Sequence, residues 1–530
     1  MTDSVRATLG AADWILVAAY VALLIALGLL VARRQSSPED YFLASRASRW
    51  PTIGLALIAS NISSTALVGL AGAAYRYGIS VYNYEWTAAV ILVFFCVFLL
   101  PQVLRSRVFT MPQFLERRYN TNARIWFALL TLFLNVFVDA AGALYTGSLV
   151  GRILVPWAPL WLLSVILAGA AGTYAILGGL RAVLRTEVVQ ASMLIAGAMA
   201  IAWCTFARAG GWDAFFQQIE PDKVSLIRPI GDPGVPWPGL LVGIPLLGFY
   251  YWCTNQFIVQ RVLCAQDLDQ GRSGAIFAGL LKLPVLFLMV LPGVCAVLLF
   301  PHLRNSDLVY PKLIVEVLPS GLAGCLVAGF VAATMTSVAS TLNSASTLIT
   351  MDLMPNLKTD VAKDRIVTIG RFSGGACLVI AMLWAPQLQH FPALWQYLQA
   401  VLAYAVPPIV ALFLVGSFWK GANAFGANAT LLLGFPCGLG LFLSNEVFGW
   451  THMHFLYAAP LLFLIDVAIL ILASLMRPAG QPTANDELLW TRRAYADETA
   501  RLRTTPLWRN YRVHALGLLA LTAWLVIAFR

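Results

Sequence analysis

The stretch that decides the fold is ATMTSVASTLNSASTLITMDL, residues 333–353. It continues an apolar run, GLAGCLVAGFVA, and nine of the seventeen residues from Thr334 to Thr350 are serine or threonine. Positions three or four apart share one face of a helix. One such hydroxyl stripe is formed by Thr336, Ser337, Ser340, Ser344 and Thr347. The stripe predicts either close packing between membrane helices or a site for a hard cation with oxygen ligands.

The composition of the whole chain is that of a protein with many membrane-spanning helices. Of its 530 residues, 60% are hydrophobic and only 11% are charged, whereas soluble proteins carry roughly 25% charged residues. The mean hydropathy is +0.77, and apolar runs of about 18 or more residues recur along the sequence. The sequence therefore predicts an all-α polytopic protein that resides in a lipid bilayer.

The positive charges indicate how the chain crosses the membrane. The sequence contains fourteen candidate spans, and twenty-five of its thirty-five lysines and arginines fall in alternate loops, with nine on the opposite side. Because loops rich in lysine and arginine stay inside, both termini are expected outside. The compact loops and short tails favour the plasma membrane of a bacterium, its inner membrane. This distribution also accounts for the net charge of +10 without a nucleic-acid partner.

Two spans carry polar residues or helix breakers within an apolar run. The second span contains LALIASNISSTALVGLAG at residues 55–72, and the seventh contains GIPLLGFYYWCTNQ at residues 243–256. Interrupted spans in corresponding halves point to an inverted-repeat transporter. The predicted repeats are residues 50–208 and 237–420. The other predicted segments are an extra helix with an inner loop (1–49), an outer loop (209–236) and extra C-terminal helices (421–530) with an inner loop at 477–512.

Ionisable residues inside predicted spans are costly and commonly functional, and six of them are candidates for a function. They are Glu85, Asp139, Glu187, Lys282, Asp352 and Asp466. Glu85 and Lys282 lie deepest and are therefore candidates for binding a solute. Glu187, Asp352 and Asp466 lie near span ends, where contact with water or with a neighbouring arginine is the alternative.

Motifs of nucleotide-dependent or hydrolytic chemistry do not occur in the sequence. It contains no Walker A loop, no Rossmann glycine fingerprint and no H-E-x-x-H. Enzymatic activity, ATP-driven transport and a bound organic cofactor are therefore not expected.

Several motifs together resemble those of the sodium/solute symporter family, and within it the sodium/glucose cotransporters. They include IASNISS in the second span, YYWCTNQFIVQR at residues 250–261 and LNSASTLITMDL at residues 342–353. The matching stretches cover most of the chain in the order that the family has. The resemblance implies a LeuT-like fold of two inverted five-helix repeats with about 14 transmembrane helices.

The resemblance also implies a sodium site between two of these helices. Its residues would be the carbonyls of Ala59, Ile62 and Ala333 and the hydroxyls of Thr336 and Ser337. Some relatives bind a second cation, which here would involve Ser340 and Glu187. Because Ala339 replaces one hydroxyl ligand and Glu187 replaces an aspartate, the expected stoichiometry is one Na⁺ per solute.

For the solute, the resemblance implies a pocket of polar side chains with an aromatic floor. The matching residues are Asn61, Glu85, Lys282, Gln399, Tyr251 and Trp252, with Tyr251 and Trp395 as gates. Three positions depart from the relatives' polar contacts, namely Ala66, Ala88 and Gly248. These departures suggest a different sugar preference or a larger, less hydroxylated solute.

Together these features predict a sodium-coupled symporter that imports a glucose-like or galactose-like monosaccharide by alternating access. The sequence leaves several alternatives open. Within the symporter class, they are myo-inositol, a nucleoside or another organic solute, and coupling to protons instead of Na⁺. In a second class, the same fold would serve as a solute-gated channel or sensor.

Overall fold

Every named element in the described part of the chain is a helix. The computed structural model describes residues 46–319, 321–354, 363–390, 394–477 and 488–530, together with four positions between 15 and 22. Within these ranges, it does not describe the side chains of residues 153–154, 174–194, 363–364, 367 and 390.

The α-helices follow one another as short and long segments of a bundle. They are α1 (Trp50–Asn61), α2 (Ser64–Tyr77), α3 (Asn83–Phe94), α4 (Leu100–Arg105), α5 (Met111–Arg118), α6 (Thr121–Phe133), α7 (Ala141–Leu154), α8 (Leu160–Arg208), α9 (Gly211–Gln218), α10 (Ile244–Phe249) and α11 (Gln256–Leu263). The second part comprises α12 (Leu268–Lys282), α13 (Leu291–Leu299), α14 (Val309–Lys312), α15 (Leu322–Leu348), α16 (Lys363–Trp384), α17 (Leu394–Ala405), α18 (Pro407–Phe418), α19 (Ala424–Phe442), α20 (Phe455–Met476), α21 (Arg492–Arg503) and α22 (Tyr511–Ala528).

Several of these helices are joined by single π-helical turns. Two of these turns line the site, Leu134–Ala140 between α6 and α7 and Tyr250–Thr254 after α10, and a third, Ile349–Leu353, follows α15. Such turns widen a helix locally and occur often at functional sites.

The second predicted span is broken where the polar residues lie. Helix α1 ends at Asn61, Ile62 has ψ near 70°, and Ser63 is extended before α2 begins. The Ser63 hydroxyl accepts a hydrogen bond from the Ala66 N–H at 3.1 Å and so caps α2. Serine and asparagine compete with the backbone for hydrogen bonds, which favours a break at this point. The predicted interruption is confirmed.

The seventh predicted span is also broken, although at a different place. Gly243 and Pro245 do not interrupt it, because the π-helical turn Gly239–Gly243 continues directly into α10. The break comes at Asn255, whose backbone is extended and whose side chain accepts a hydrogen bond from the Phe257 N–H at 3.1 Å. The aromatic residues Tyr250, Tyr251 and Trp252 therefore lie on the last turn before the break.

Helix α15, which carries the hydroxyl stripe, is buried along most of its length. It packs against α1, α2, α7, α8 and α16. Its hydroxyls donate to carbonyls one turn back, as Thr336 does to Ala332 at 2.8 Å and Ser337 does to Ala333 at 2.9 Å. These bonds satisfy the hydroxyl hydrogens and leave each oxygen as an acceptor. The packing interpretation of the stripe is therefore correct for the helix, and it leaves the cation interpretation open.

The fifth and sixth predicted spans, 157–178 and 183–207, both fall within the 49 residues of α8. Near its beginning, Leu163 packs against Gly151 at the end of α7. Near its end, the Arg208 guanidinium donates to the Glu316 carbonyl, shortly before α15 begins. The division of α8 into two separate crossings stays a prediction.

The apolar helices establish an integral membrane protein. Among the described residues, eight helices are long and apolar enough to cross a membrane, or nine when α17 and α18, bent by 53°, count as one span. One of the eight, Ser64–Arg105, contains the end of the second predicted span, 50–75, and all of the third, 80–104. The total of fourteen stays a prediction, and the first predicted span, 12–31, lies almost entirely outside the described residues.

Two of the carboxylates near predicted span ends have different surroundings. Asp352 meets an arginine, as the alternative interpretation expected, because Arg124 Nε lies 2.7 Å from its Oδ1. Asp466 on α20 is buried beside Gly434 and Pro408. In the part of the chain that the structure describes, neither of its oxygens has a hydrogen-bond partner. Among the described residues, Asp466 therefore lacks the arginine contact that the alternative interpretation allowed.

Candidate solute and cation site

A cavity lies where the two broken helices meet. It encloses about 950 Å³, its open mouth included. The α1–α2 break, the first turn of α3, the turn Tyr250–Thr254, the end of α12, and helices α15 and α17 all contribute side chains to its wall. Apolar and aromatic side chains with a few polar groups among them, as in this cavity, are typical of small-molecule sites.

A buried ion pair lies on one side of this cavity. Lys282 Nζ donates to Glu85 Oε2 and also to the Asn61 side-chain oxygen. The two charged side chains are only 2% and 6% exposed. Glu85 belongs to the first turn of α3 and Lys282 is the last residue of α12. Each charge therefore lies at the helix end whose dipole favours it.

Aromatic side chains form a second part of the cavity wall, next to this ion pair. The Asn61 amide donates to the Tyr251 hydroxyl at 3.2 Å. The Tyr251 ring packs edge-on against both Trp252 and Phe257, and Lys282 Nζ lies 5.6 Å from the centre of the Trp252 ring. Tyr251 is thus held by a polar contact at its hydroxyl and by apolar contacts around its ring.

A further part of the cavity wall is formed by α17. Trp395 packs edge-on against Tyr84 at 6.0 Å between ring centroids, and it lies against Gly69 of α2. A side chain at position 69 would meet the Trp395 ring at 2.9 Å, so glycine is needed for this approach. Gln399, one turn further along α17, faces the cavity. The structure therefore brings all the predicted solute and gate residues to one cavity.

The helix break also releases two backbone carbonyls. The Ser63 N–H donates to the Asn61 carbonyl at 2.8 Å, and the Ala66 N–H donates to the Ser63 hydroxyl. In an uninterrupted helix these two N–H groups would donate to the carbonyls of Ala59 and Ile62. At the break, the carbonyls of Ala59 and Ile62 therefore lose the N–H donors that a continuous helix would supply. These are two of the carbonyls that the resemblance implied as sodium ligands.

The hydroxyl ligands implied for the same site lie on α15. Ser337 faces the cavity together with Ser60 and Ser63 of the break, whereas Thr336 is buried beside it. Ala333 is also fully buried and its carbonyl accepts from Ser337. Serine hydroxyls and backbone carbonyls are hard oxygen ligands suited to Na⁺.

The residues implied for a second cation have a partial description. Ser340 and Ala339 are both fully buried on α15, and the side chain of Glu187 lies outside the described residues. Among the residues that the structure describes, no group of three or more His, Cys, Asp or Glu side chains could hold a metal ion. A multi-carboxylate or histidine metal centre is therefore not part of the described chain.

Several cavity residues were not assigned to a site from the sequence. Ser60, Ser63, Thr65, Asp139 and Thr341 all face it. Asp139 was recognisable as an ionisable residue inside a span, and Thr341 as one more hydroxyl of α15. Which of these face the cavity depends on how the helices are rotated and on the π-helical turn that contains Asp139.

We expect Lys282→Met to destabilise the protein because it leaves the Glu85 carboxylate buried without its partner. Removing one member of a buried ion pair costs about 3–5 kcal/mol. The double variant Glu85→Gln/Lys282→Met removes both charges and should regain much of this loss. Thermal unfolding of the purified proteins in one detergent measures the difference. Equal midpoints for the single and double variants would contradict the importance of the pair.

Comparison with known proteins places these features among transporters. The Sodium:solute symporter family matches residues 41–434. A sodium/glucose cotransporter of Vibrio parahaemolyticus is 33% identical, over 81% of this chain and 84% of its own length. A sodium/mannose cotransporter of Bos taurus is 31% identical, over 90% of this chain and 89% of its own.

Solved structures with a similar backbone show the fold. A Na⁺-coupled sialic acid symporter in a substrate-bound outward-open state superposes with a TM-score of 0.76 at 19% identity, over 89% of this chain and 99% of its own. A transporter of the nucleobase-cation-symport-1 family in a closed conformation superposes with a TM-score of 0.57 at 16% identity, over 86% and 98%. The predicted LeuT-like fold of two inverted repeats is confirmed.

Proposed function

Because the chain belongs to the sodium:solute symporter family and is a sodium-coupled symporter rather than an enzyme, we propose that it imports a monosaccharide by alternating access. The proposed solute resembles glucose or galactose, and one Na⁺ accompanies each sugar. The observation that carries the proposal is the cavity in which Asn61, Glu85, Lys282 and Gln399 face an aromatic wall. The relatives named for glucose and mannose transport support the sugar class.

The chemistry of this cavity suits a polyol. A carboxylate accepts hydrogen bonds from hydroxyls, an ammonium group donates them, and the amides of Asn61 and Gln399 do both. The faces of Tyr251 and Trp252 offer apolar surface to the C–H face of a sugar ring. Ala66 also faces the cavity. Its methyl group cannot form a hydrogen bond with the sugar, whereas the resemblance implies a polar residue at this position.

The proposed Na⁺ site uses the carbonyls of Ala59, Ile62 and Ala333 and the hydroxyls of Thr336 and Ser337. It rests on the two carbonyls from which the break diverts the helical donors, and on the hydroxyls of α15. A cation there would lie between α1 and α15 and would hold the two helices together. In the sequence, Asn61 lies between Ala59 and Ile62, whose carbonyls are two of the proposed cation ligands.

The proposed gates are Trp395 and Tyr251, which both line the cavity. Trp395 closes over the solute beside Tyr84, while Tyr251 blocks the other end through its contacts with Asn61 and Phe257. Transport then requires one gate to open while the other stays shut. We place the two repeats at residues 50–208 and 237–420, and both termini outside a plasma membrane.

Uptake into proteoliposomes tests the function directly. We expect radiolabelled glucose to accumulate only when an inward Na⁺ gradient is present. A K⁺ gradient of the same size and protein-free liposomes are the controls. Equilibration without accumulation would indicate a channel. With folded protein, absence of any glucose uptake would contradict the proposed solute, and myo-inositol, other sugars and nucleosides would then be compared in the same assay.

Gln399→Ala tests the solute site. At saturating Na⁺, loss of the amide should raise the half-saturating sugar concentration about tenfold, the effect of one good hydrogen bond. The matched control is Gln396→Ala on the same helix, because Gln396 accepts a hydrogen bond from Tyr77 at 2.9 Å outside the cavity wall. An equal change in both variants would mean that α17 is disturbed generally.

Thr336→Ala tests the cation site. Without this oxygen, the half-saturating Na⁺ concentration for uptake should rise about tenfold or more, while sugar binding at very high Na⁺ stays close to that of the wild type. Thr336→Ser keeps the hydroxyl and should retain normal Na⁺ dependence. If Thr336→Ser and Thr336→Ala behaved alike, the hydroxyl would not be a ligand.

A further inference from the structure

Asp139 is a carboxylate in the cavity that the proposed function leaves without a role. Three charged side chains face the cavity, and two of them, Glu85 and Lys282, pair with each other. Among the residues that the structure describes, none donates a hydrogen bond to Asp139 or forms an ion pair with it. The net charge of this described wall is therefore set by Asp139 alone.

Two contacts between neighbouring segments show which residues of α15 lie beside Asp139. The Asn135 amide donates to the Ser344 hydroxyl at 2.9 Å, and Gly147 packs against Thr334. The segment from 135 to 147 thus runs antiparallel to α15, and Asp139 lies at the level of Thr341. Both side chains face the cavity, as does Ser337 one turn away on α15.

The π-helical turn Leu134–Ala140 contains Asp139. The added residue in such a turn changes the direction of the side chains near it. The carboxylate is only partly buried, and it lines the cavity together with Ser337, Thr341 and Tyr251. It therefore shares the cavity wall with hydroxyls of α15 and with the proposed Tyr251 gate.

We propose that Asp139, Thr341 and Ser337 form a second binding site for Na⁺ on the cavity wall, which the ion occupies on its way to or from the site at Thr336. An unpaired carboxylate inside a membrane protein is costly, and a monovalent cation compensates its charge. The hydroxyl oxygens beside it supply hard ligands, since Ser337 donates its hydrogen to Ala333 and keeps its lone pairs. This inference rests on the proposed Na⁺ site.

Ser337 belongs to both sites, so a single ion uses them in turn. The Asp139 site therefore adds a step to the path of the ion without adding an ion to the cycle. It also gives Na⁺ a negatively charged position that opens to the cavity, whereas the site at Thr336 consists of neutral oxygens. The proposed stoichiometry of one Na⁺ per sugar is unchanged.

The test is equilibrium binding of radioactive Na⁺ to purified protein in detergent, without any sugar. In Thr336→Ala, we expect binding to persist at the Asp139 site with a weaker affinity. Adding Asp139→Asn to this variant should raise the half-saturating Na⁺ concentration at least about tenfold more. Adding Thr341→Val should give a smaller rise, because it removes a neutral ligand.

The matched control is Thr336→Ala/Asp466→Asn, since Asp466 is a buried carboxylate on α20 outside the cavity wall. This variant should bind Na⁺ as Thr336→Ala does, and gel filtration checks that every variant is folded. If Asp139→Asn left Na⁺ binding unchanged in the Thr336→Ala protein, or if Thr336→Ala alone abolished all binding, the second site would be refuted. A Thr336→Ala protein with wild-type binding would instead refute the first site.

Discussion

The structure depends on a constraint that the membrane imposes on every backbone amide. In hydrocarbon, a helix can be interrupted only where the freed groups find other partners or line a polar cavity. Two such interruptions in the described part of the chain, at Ile62–Ser63 and at Asn255, lie beside one cavity. Ser63 and Asn255 satisfy the N–H groups of the helices that follow them. The carbonyls before the first break are then available to a ligand.

The same constraint explains why charged groups are found at this point. Glu85 and Lys282 are 197 residues apart in the chain. Glu85 lies in the first turn of α3 and Lys282 in the last turn of α12, where the helix dipole favours a negative and a positive charge respectively. Asn61 joins the pair because the break turns its side chain towards Lys282. A buried pair of this kind is weak evidence for stability, since desolvation offsets much of the attraction. Its geometric effect is to hold three helices in a fixed arrangement around the cavity.

The sequence predicted the parts of this arrangement that depend on local chemistry. The polar centre of LALIASNISSTALVGLAG located the first break, because serine and asparagine compete with helical hydrogen bonds at any depth. The second break lies at Asn255, near the end of the predicted stretch 243–256, whereas Gly243 and Pro245 lie in the continuous helix where the π-helical turn Gly239–Gly243 meets α10. The decisive residue there is Asn255, which caps the following helix and gives no stronger signal than many other asparagines.

What the sequence could not predict depends on contacts between distant segments. The pairing of Arg124 with Asp352 and the isolation of Asp466 follow from which helices are neighbours. The direction of Asp139 follows from a π-helical turn, which has no clear pattern in composition. The family resemblance supplied the fold and most of the proposed site residues, but it gave no role to a residue outside the family's own motifs.

The position of Asn61 suggests how cation and solute are coupled. Asn61 lies between Ala59 and Ile62, the two residues whose carbonyls are proposed for Na⁺, and its side chain contacts both Lys282 and Tyr251. A ligand shifts a conformational equilibrium only by as much as its affinity differs between the two states. A cation that holds the break against α15 would fix the Asn61 backbone, and with it the polar wall and the proposed Tyr251 gate. By thermodynamic reciprocity, a solute bound to that wall would then strengthen the binding of the cation.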